Sequence, residues 1–161
     1  DLLEEGFDGF IRFGPLEDSS QVARRLLHGQ AMLVAAPDLP GLDALNRPED
    51  LARFDLVGLA APWPGGLPLL NGREAVVLPR DPPLRLGSQL AVRDALLAGA
   101  GIAALPGIVA RPEIAAGRLV HVLPDWSTPR KAIYFVYPSA QSVTARLRAF
   151  IDHLARELGD D

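Results

Sequence analysis

The residue types that carry most enzymatic and metal chemistry are sparse and scattered in this 161-residue sequence. There is no cysteine, which removes a thiolate nucleophile, a thiolate metal site and a disulfide framework. The three histidines, His28, His121 and His153, lie far apart, and none has metal-ligand spacing. Spacing offers neither His121 nor His153 an evident carboxylate partner, so all three are read as structural or surface groups. No serine sits in a G-x-S-x-G elbow. Gly99-Ala100-Gly101 lacks the full dinucleotide-binding pattern and follows a helix rather than a strand. The single lysine, Lys131, belongs to no phosphate loop. Asp8, Glu17, Asp18, Asp94 and Asp125 form no paired general acid and base. This inventory favours binding over catalysis.

One stretch has chemistry of a different kind. Leu84 to Pro106 reads as a short strand, a turn at Gly87-Ser88-Gln89, a helix, a glycine break and a second strand. Ser88 is a good N-cap, because its hydroxyl can accept from a backbone N–H one turn on. Leu90, Ala91, Val92, Ala95, Leu96 and Leu97 supply the apolar content of a packed helix. Gly99 and Gly101 can take the positive φ that ends a helix. Ile102 to Leu105 is too short for a helix and suits a buried strand of a parallel sheet; Pro106-Gly107 stops it. Such a unit aims helix-start amides beyond a strand's carboxyl end, where open α/β sheets bind ligands and anions are favoured. A purely structural unit of this kind is equally common, and both readings stand at this point.

Elements that would position these residues alternate along the chain. Phe7 to Pro15 reads as a strand ending in a turn, after Asp1 to Gly6 as the last turns of a helix. Asp18 to Ser20 is a polar loop, and Val22 to Leu27 carries Arg24 and Arg25 in tandem. Ala31 to Pro37 is a buried strand, Leu39 to Leu45 a loop or short helix, and Arg47 to Phe54 a short helix with proline near its start. Asp55 to Leu59 is a strand. Ala60 to Leu70 is a long Pro- and Gly-rich loop whose Trp63 either pins it to the body or closes over a ligand. Ala75 to Leu78 is a strand and Arg80 to Pro83 a turn. Further on come a short helix over Ile108 to Gly117, a strand over Leu119 to Pro124, a turn over Asp125 to Pro129 and a strand over Ala132 to Tyr137. A final helix runs from Val143 to Leu158, with Leu147, Phe150, Ile151, Leu154 and Leu158 as its apolar stripe. The class is α/β with largely parallel sheets.

The totals bound the rest. Net charge is −4, which argues against a nucleic-acid binder in its own right. No apolar run approaches the roughly 18 residues of a membrane span, and no signal segment starts the chain. The absent initiator methionine suggests a fragment of a longer protein.

Several stretches, taken in order, resemble the regulatory region of LysR-type bacterial transcription regulators. They are Phe7-Asp8-Gly9-Phe10-Ile11-Arg12-Phe13-Gly14-Pro15-Leu16, Val22 to Leu26, Met32-Leu33-Val34-Ala35-Ala36-Pro37 and Pro48-Glu49-Asp50-Leu51. The set continues through Ala98-Gly99-Ala100-Gly101-Ile102-Ala103-Ala104-Leu105-Pro106, Ala116 to Trp126, Val136-Tyr137-Pro138-Ser139 and Arg146 to Asp152. Each piece alone is weak, but the ordered set spans nearly the whole chain.

The resemblance implies a two-lobe, periplasmic-binding-protein-like fold (type II) with its first lobe incomplete. By it, residues 1–29 and 139–161 belong to lobe I and residues 30–138 to lobe II. A small effector would bind in the interlobe cleft, held by Phe13, Gly14 and Pro15 on one side and Gly87, Ser88 and Gln89 on the other. The second set coincides with the helix start picked out above by capping chemistry. No cofactor, metal or catalytic residue is implied. DNA would be read only by an absent N-terminal winged helix-turn-helix, and the protein would be a cytoplasmic homo-oligomer, dimer or tetramer, sensing a metabolite that the helix start suggests bears a carboxylate. The chain departs from the family in carrying Gly87-Ser88 where many members have Asn-Asp. It also lacks the first half of lobe I, so that Phe10 to Phe13 would miss a neighbouring strand. A periplasmic-type solute-binding protein, an enzyme of the same fold and an interaction domain with an empty cleft are the alternatives.

Overall fold

The computed structural model describes residues 7–14, 22–60, 65–78, 81–137 and 143–158. In chain order the elements are β1 (Phe10–Phe13), β2 (Val22–Gly29), β3 (Ala31–Ala35), 3-10 turns at Leu42–Ala44 and Pro48–Arg53, β4 (Val57–Leu59), β5 (Leu67–Leu70), β6 (Ala75–Leu78), β7 (Leu84–Leu86) and α1 (Gln89–Leu97). They continue with β8 (Ile102–Pro106), α2 (Gly107–Ala115), β9 (Val120–His121), β10 (Lys131–Tyr137) and α3 (Ala145–Leu158). The chain packs as two units, residues 1–29 with 130–161, and residues 30–129.

In the larger unit β3 is the central strand. It pairs antiparallel with β8 across Ala31–Ala35 and with β9 at Val34 and Ala35. β4 pairs parallel with β7, and Leu56 bridges to Ile102 in parallel. Hence β7, β4, β8 and β9 run one way, and β3 runs against them. The expectation of largely parallel sheets needs correction here, because parallel neighbours arise where a helix returns the chain, as α1 does between β7 and β8. β3 is not reached through a helix. It arrives directly from the other unit after Gly29 and is inserted between β8 and β9, so both of its ladders are antiparallel.

The smaller unit repeats the device. β10 pairs antiparallel with β1 on one side and with β2 on the other, with a register shift between Ile133 and Tyr134. β10 is likewise the strand that arrives from the other unit.

The core follows from these placements. One cluster on the larger unit gathers Leu33, Ala35, Leu45, Leu51, Leu56, Leu67, Leu69, Ile102, Val122, Leu123 and Trp126. A second gathers Val34, Val57, Val92, Leu96, Ala103, Leu105, Ala110 and Leu119 under α1 and α2. Successive β3 residues Leu33 and Val34 point to opposite clusters, as the period of a strand requires. The smaller unit buries Leu26, Phe135 and Ile151 as its cluster.

Several expectations are revised. The Ala60 to Leu70 loop ends in a strand, since Leu67–Leu70 pairs with β6; Trp63 lies outside the described residues, as do Asp1 to Gly6 and Asp18 to Ser20. The expected strand over Leu119 to Pro124 shrinks to Val120–His121, because Leu123 turns the chain at a φ of 48°. Of the apolar residues expected to pack α1, Val92 and Leu96 are buried, whereas Leu90 is 55% and Leu97 37% exposed. Phe150, placed on the apolar stripe of α3, is 50% exposed, while Ile151 is buried.

Candidate functional site

Gly87, Ser88 and Gln89 stand together where β7 passes into α1. Leu84–Leu86 is held by β4, so the strand delivers the chain to the helix start from a fixed ladder. Ser88 has extended backbone, and its Oγ accepts from the Ala91 N–H at 3.1 Å. Its carbonyl accepts from the Val92 N–H at 3.1 Å. This is the N-cap expected from the sequence. The Gln89 and Leu90 N–H groups of the first turn have no hydrogen-bond partner among the described residues. Two outward amides at the positive end of a helix dipole can hold a carboxylate or phosphate oxygen. Gly87 and Ser88 are exposed and Gln89 half-buried. An added Cβ at Gly87 would meet nothing within 4 Å, so steric need does not account for that glycine.

The exit of α1 is tightly specified. Gly99 and Gly101 take φ of 77° and 137°, the positive values expected of this helix stop. A Cβ on Gly101 would lie 2.1 Å from the Asp55 carbonyl oxygen, which accepts from the Ile102 N–H at 2.9 Å. Only glycine fits between the helix end and the start of β8.

Phe13 and Gly14 belong to the other unit. Phe13 ends β1, opposite Ile133. Gly14 is buried, has a φ of 92°, and its N–H donates to the Ala132 carbonyl at 3.0 Å. The turn that follows the strand is thus tied to β10. Pro15 lies outside the described residues.

Other groups were less visible from sequence. Glu113, on α2, is 7% exposed, a buried charged side chain among the described residues. Its Oε2 accepts from Arg118 Nε at 2.6 Å, and Arg93 Nε of α1 stands 4.0 Å from Oε1. The Arg118 hydrogen bond holds the Glu113 carboxyl below its usual range, against an opposing push from burial. The pair joins α2 to the turn after it and faces α1. Nothing in a lone Glu five residues from an Arg distinguishes it from a solvated pair. His121, on β9, has a buried Nε2 without a hydrogen-bond partner among the described residues, and burial pushes its pKa down. His153 has a partner after all: Glu157, at helical i,i+4 spacing, lies 3.9 Å from Nδ1, both side chains being exposed. No group of three or more His, Asp or Glu able to hold a metal occurs among the described residues. No helix among them is long and apolar enough to cross a membrane.

Two hollows lie on the smaller unit. One of about 400 Å³ is lined by Phe7, Gly9, Phe135, Leu147 and Phe150 with Asp8, Thr144 and Arg146 at its polar part. Another of about 260 Å³ is lined by Arg24, Tyr137, Val143, Arg148, Ile151 and Asp152. Neither contains a residue of the site expected from the sequence.

Comparison with known proteins adds the following. The model of the LysR substrate binding domain matches residues 1–159. The HTH-type transcriptional regulator PtxR of Pseudomonas aeruginosa is 38% identical over 163 residues, covering 99% of this chain and 52% of PtxR. The CrgA regulatory domain of Neisseria meningitidis, a LysR-type transcriptional regulator, superposes with a TM-score of 0.82 at 28% identity, over 98% of this chain and 78% of that one. Full-length AphB of Vibrio cholerae, a virulence activator of the same class, gives a TM-score of 0.74 at 29% identity over 93% of this chain and 52% of its own. This chain spans about half the length of the curated relatives it matches.

Proposed function

The chain belongs to the LysR substrate-binding-domain family, and from that premise we propose that it senses a small effector for a LysR-type transcription regulator. The observation that carries this reading is the match over residues 1–159 to the family model, together with transcriptional regulators as relatives. The fold is the two-lobe, periplasmic-binding-protein-like one of such regulatory domains. In this reading residues 1–29 and 139–161 belong to lobe I of the effector-binding domain and residues 30–138 to lobe II.

The effector contacts are Gly87, Ser88 and Gln89 on one unit and Phe13, Gly14 and Pro15 on the other. The open Gln89 and Leu90 amides support a ligand bearing a carboxylate. The activity is binding: none of the six positions carries a side chain that titrates near neutral pH, so none can serve as general acid or base. The whole regulator works in the cytoplasm as a homo-oligomer and grips DNA through a separate winged helix-turn-helix. An effector changes that grip only through unequal affinity for two arrangements of the domain. The solute-binding alternative draws no support from the relatives, which are regulators.

The test is calorimetric titration of a panel of small carboxylates into this protein and into a Ser88→Leu variant. The leucine removes the cap acceptor and fills the helix mouth. Affinity for the carboxylate that binds should fall by at least about tenfold, with the circular dichroism spectrum retained. Equal affinity in the two proteins would remove Ser88 and its neighbours from the site.

A further inference from the structure

The β5–β6 hairpin fixes which backbone groups of its outer strand point away from it. Antiparallel ladders alternate between hydrogen-bonded and non-hydrogen-bonded pairs. The Asn71 N–H donates to the Glu74 carbonyl at 3.2 Å, so Asn71 and Glu74 form a hydrogen-bonded pair beside the turn. Followed through the register, Leu69–Val76 and Leu67–Leu78 are hydrogen-bonded pairs, whereas Leu70–Ala75 and Pro68–Val77 are not. Two observations agree. Leu70 exchanges both of its backbone bonds with Ser127, on the other side of β5, at 2.8 and 2.9 Å. Pro68 has no N–H to give to Val77. The N–H and carbonyl groups of Ala75 and Val77 therefore face outward from β6. Among the described residues β6 has no second strand beside it, and none of these groups finds a partner there.

The side chains along this edge suit a further strand. Ala75 and Val77 share one face and are exposed, Val77 by 53%, while Val76 and Leu78 turn inward to the first core cluster. Proteins commonly blunt an open edge with charge, proline or a register shift. β2, which also has one neighbouring strand among the described residues, carries Arg24 and Arg25 and a register shift against β10. β6, Ala75-Val76-Val77-Leu78, has none of these.

We propose that β6 is a docking edge for the β6 strand of a second copy of this chain, paired antiparallel about a two-fold axis at Val76. Ala75 of each copy then stands opposite Val77 of the other. Each strand offers two N–H and two carbonyl groups, and this register joins all of them. A two-fold interface is self-complementary, as this edge is. Charge agrees. The antiparallel arrangement puts the Arg73–Glu74 ends of the two strands at opposite ends of the ladder, whereas a parallel pair would set Arg73 against Arg73 and Glu74 against Glu74. A foreign peptide docked on an edge takes its specificity from pockets for alternate side chains, and neither hollow described above is lined by a residue of β5 or β6. The proposal rests on the hairpin alone and not on the effector reading.

The test is sedimentation equilibrium and amide hydrogen exchange of this chain over a range of concentrations. A contact of 4 residues a side is far smaller than a standard interface, so dimers are expected at roughly millimolar protein. At half dimerisation the Ala75 and Val77 amides should exchange about twofold more slowly than in dilute protein, since exchange proceeds only from the free edge. The Val76 and Leu78 amides, already bonded to β5, should not change with concentration. Val77→Pro removes an outward N–H and no bond to β5, which an edge position tolerates, and should leave the chain folded and monomeric. Val77→Lys, at an exposed side chain, should do the same by charge, and Val77→Thr should dimerise like the parent. A chain that stays monomeric at millimolar concentration overturns the proposal. So does a dimer that persists in either the proline or the lysine variant, or one that forms without slowing the Ala75 and Val77 amides.

Discussion

The two units solve the same topological problem with unequal means. Each takes in a strand from the other and inserts it antiparallel between two strands that run parallel to each other: β3 between β8 and β9, β10 between β1 and β2. Around β3 the larger unit builds two clusters of buried residues, one on each face of the strand. Among the described residues the smaller unit gathers Leu26, Phe135 and Ile151 as its cluster, buries Ile133 and Val136 of β10 besides, and leaves Phe7 56%, Ile11 47% and Phe150 50% exposed. Apolar burial is the main favourable term in folding. Among the described residues the larger unit therefore has the larger apolar core, and exposed contacts form a greater share of what holds the smaller one. An identical strand insertion does not confer an identical stability; what is packed on the two faces of the inserted strand does.

The sharpest way to break this comparison is to empty the better core. Leu105 is fully buried on β8, between β3 and the helices. Leu105→Ala should cost about 2–5 kcal/mol. The expected loss is confined to the larger unit, and the chain offers a natural separation of signals: the sole tyrosines, Tyr134 and Tyr137, fall in the smaller unit, and Trp63 and Trp126 in the span of the larger. In urea unfolding, tryptophan fluorescence should shift to lower denaturant by the full amount. The tyrosine signal should unfold first in the parent chain and move little in the variant. Coincident transitions by both probes, shifted equally, would mean one cooperative unit and end the comparison.

The inequality also explains what the sequence could and could not disclose. Ser88 was legible because capping is local: the residue, its neighbours and the apolar run after it all lie within one turn. Gly101 was legible as a helix stop, but not as a residue whose missing Cβ admits the Asp55 carbonyl. That contact depends on a strand some fifty positions away. The antiparallel place of β3 was hidden for the same reason. Alternation of strands and helices reports crossovers, and β3 enters without one. The Glu113–Arg118 pair joins positions whose spacing carries no signature. The site residues Phe13 and Gly14 came from the family resemblance rather than from any chemistry visible at their positions.

A second, smaller effect should distinguish the units by pH. His121 on β9 belongs to the larger unit, and burial lowers its pKa below the ordinary 6.5. A group depressed in the folded state stays neutral while the unfolded chain takes up a proton. Its contribution is therefore fully present above pH 6.5 and is lost as pH falls from there towards the lowered value. Tryptophan-detected unfolding should shift to lower urea between neutrality and mildly acidic pH. His121→Phe, which cannot titrate, should flatten that slope. His28 and His153 stand in the other unit, so the tyrosine-detected transition should keep its own profile in the variant. A slope that persists unchanged in His121→Phe would assign the acid sensitivity elsewhere.

The weakest effect tests the other side of the comparison. Arg24 of β2 and Asp152 of α3 form an ion pair that links sheet to helix in the smaller unit, with side chains 47% and 45% exposed. Exposed pairs are worth little, because water and salt screen the attraction and two long side chains must be held still. If such contacts form a greater share of what holds the smaller unit, they should be detectable yet small. Asp152→Asn keeps the shape and removes the charge, and it should cost less than about 1 kcal/mol. The shift should appear in the tyrosine-detected transition alone and vanish in high salt. A shift as large as that of Leu105→Ala would mean that the ion pair, rather than apolar burial, organises the packing of α3 on β2, and the two units would then differ in kind rather than in amount.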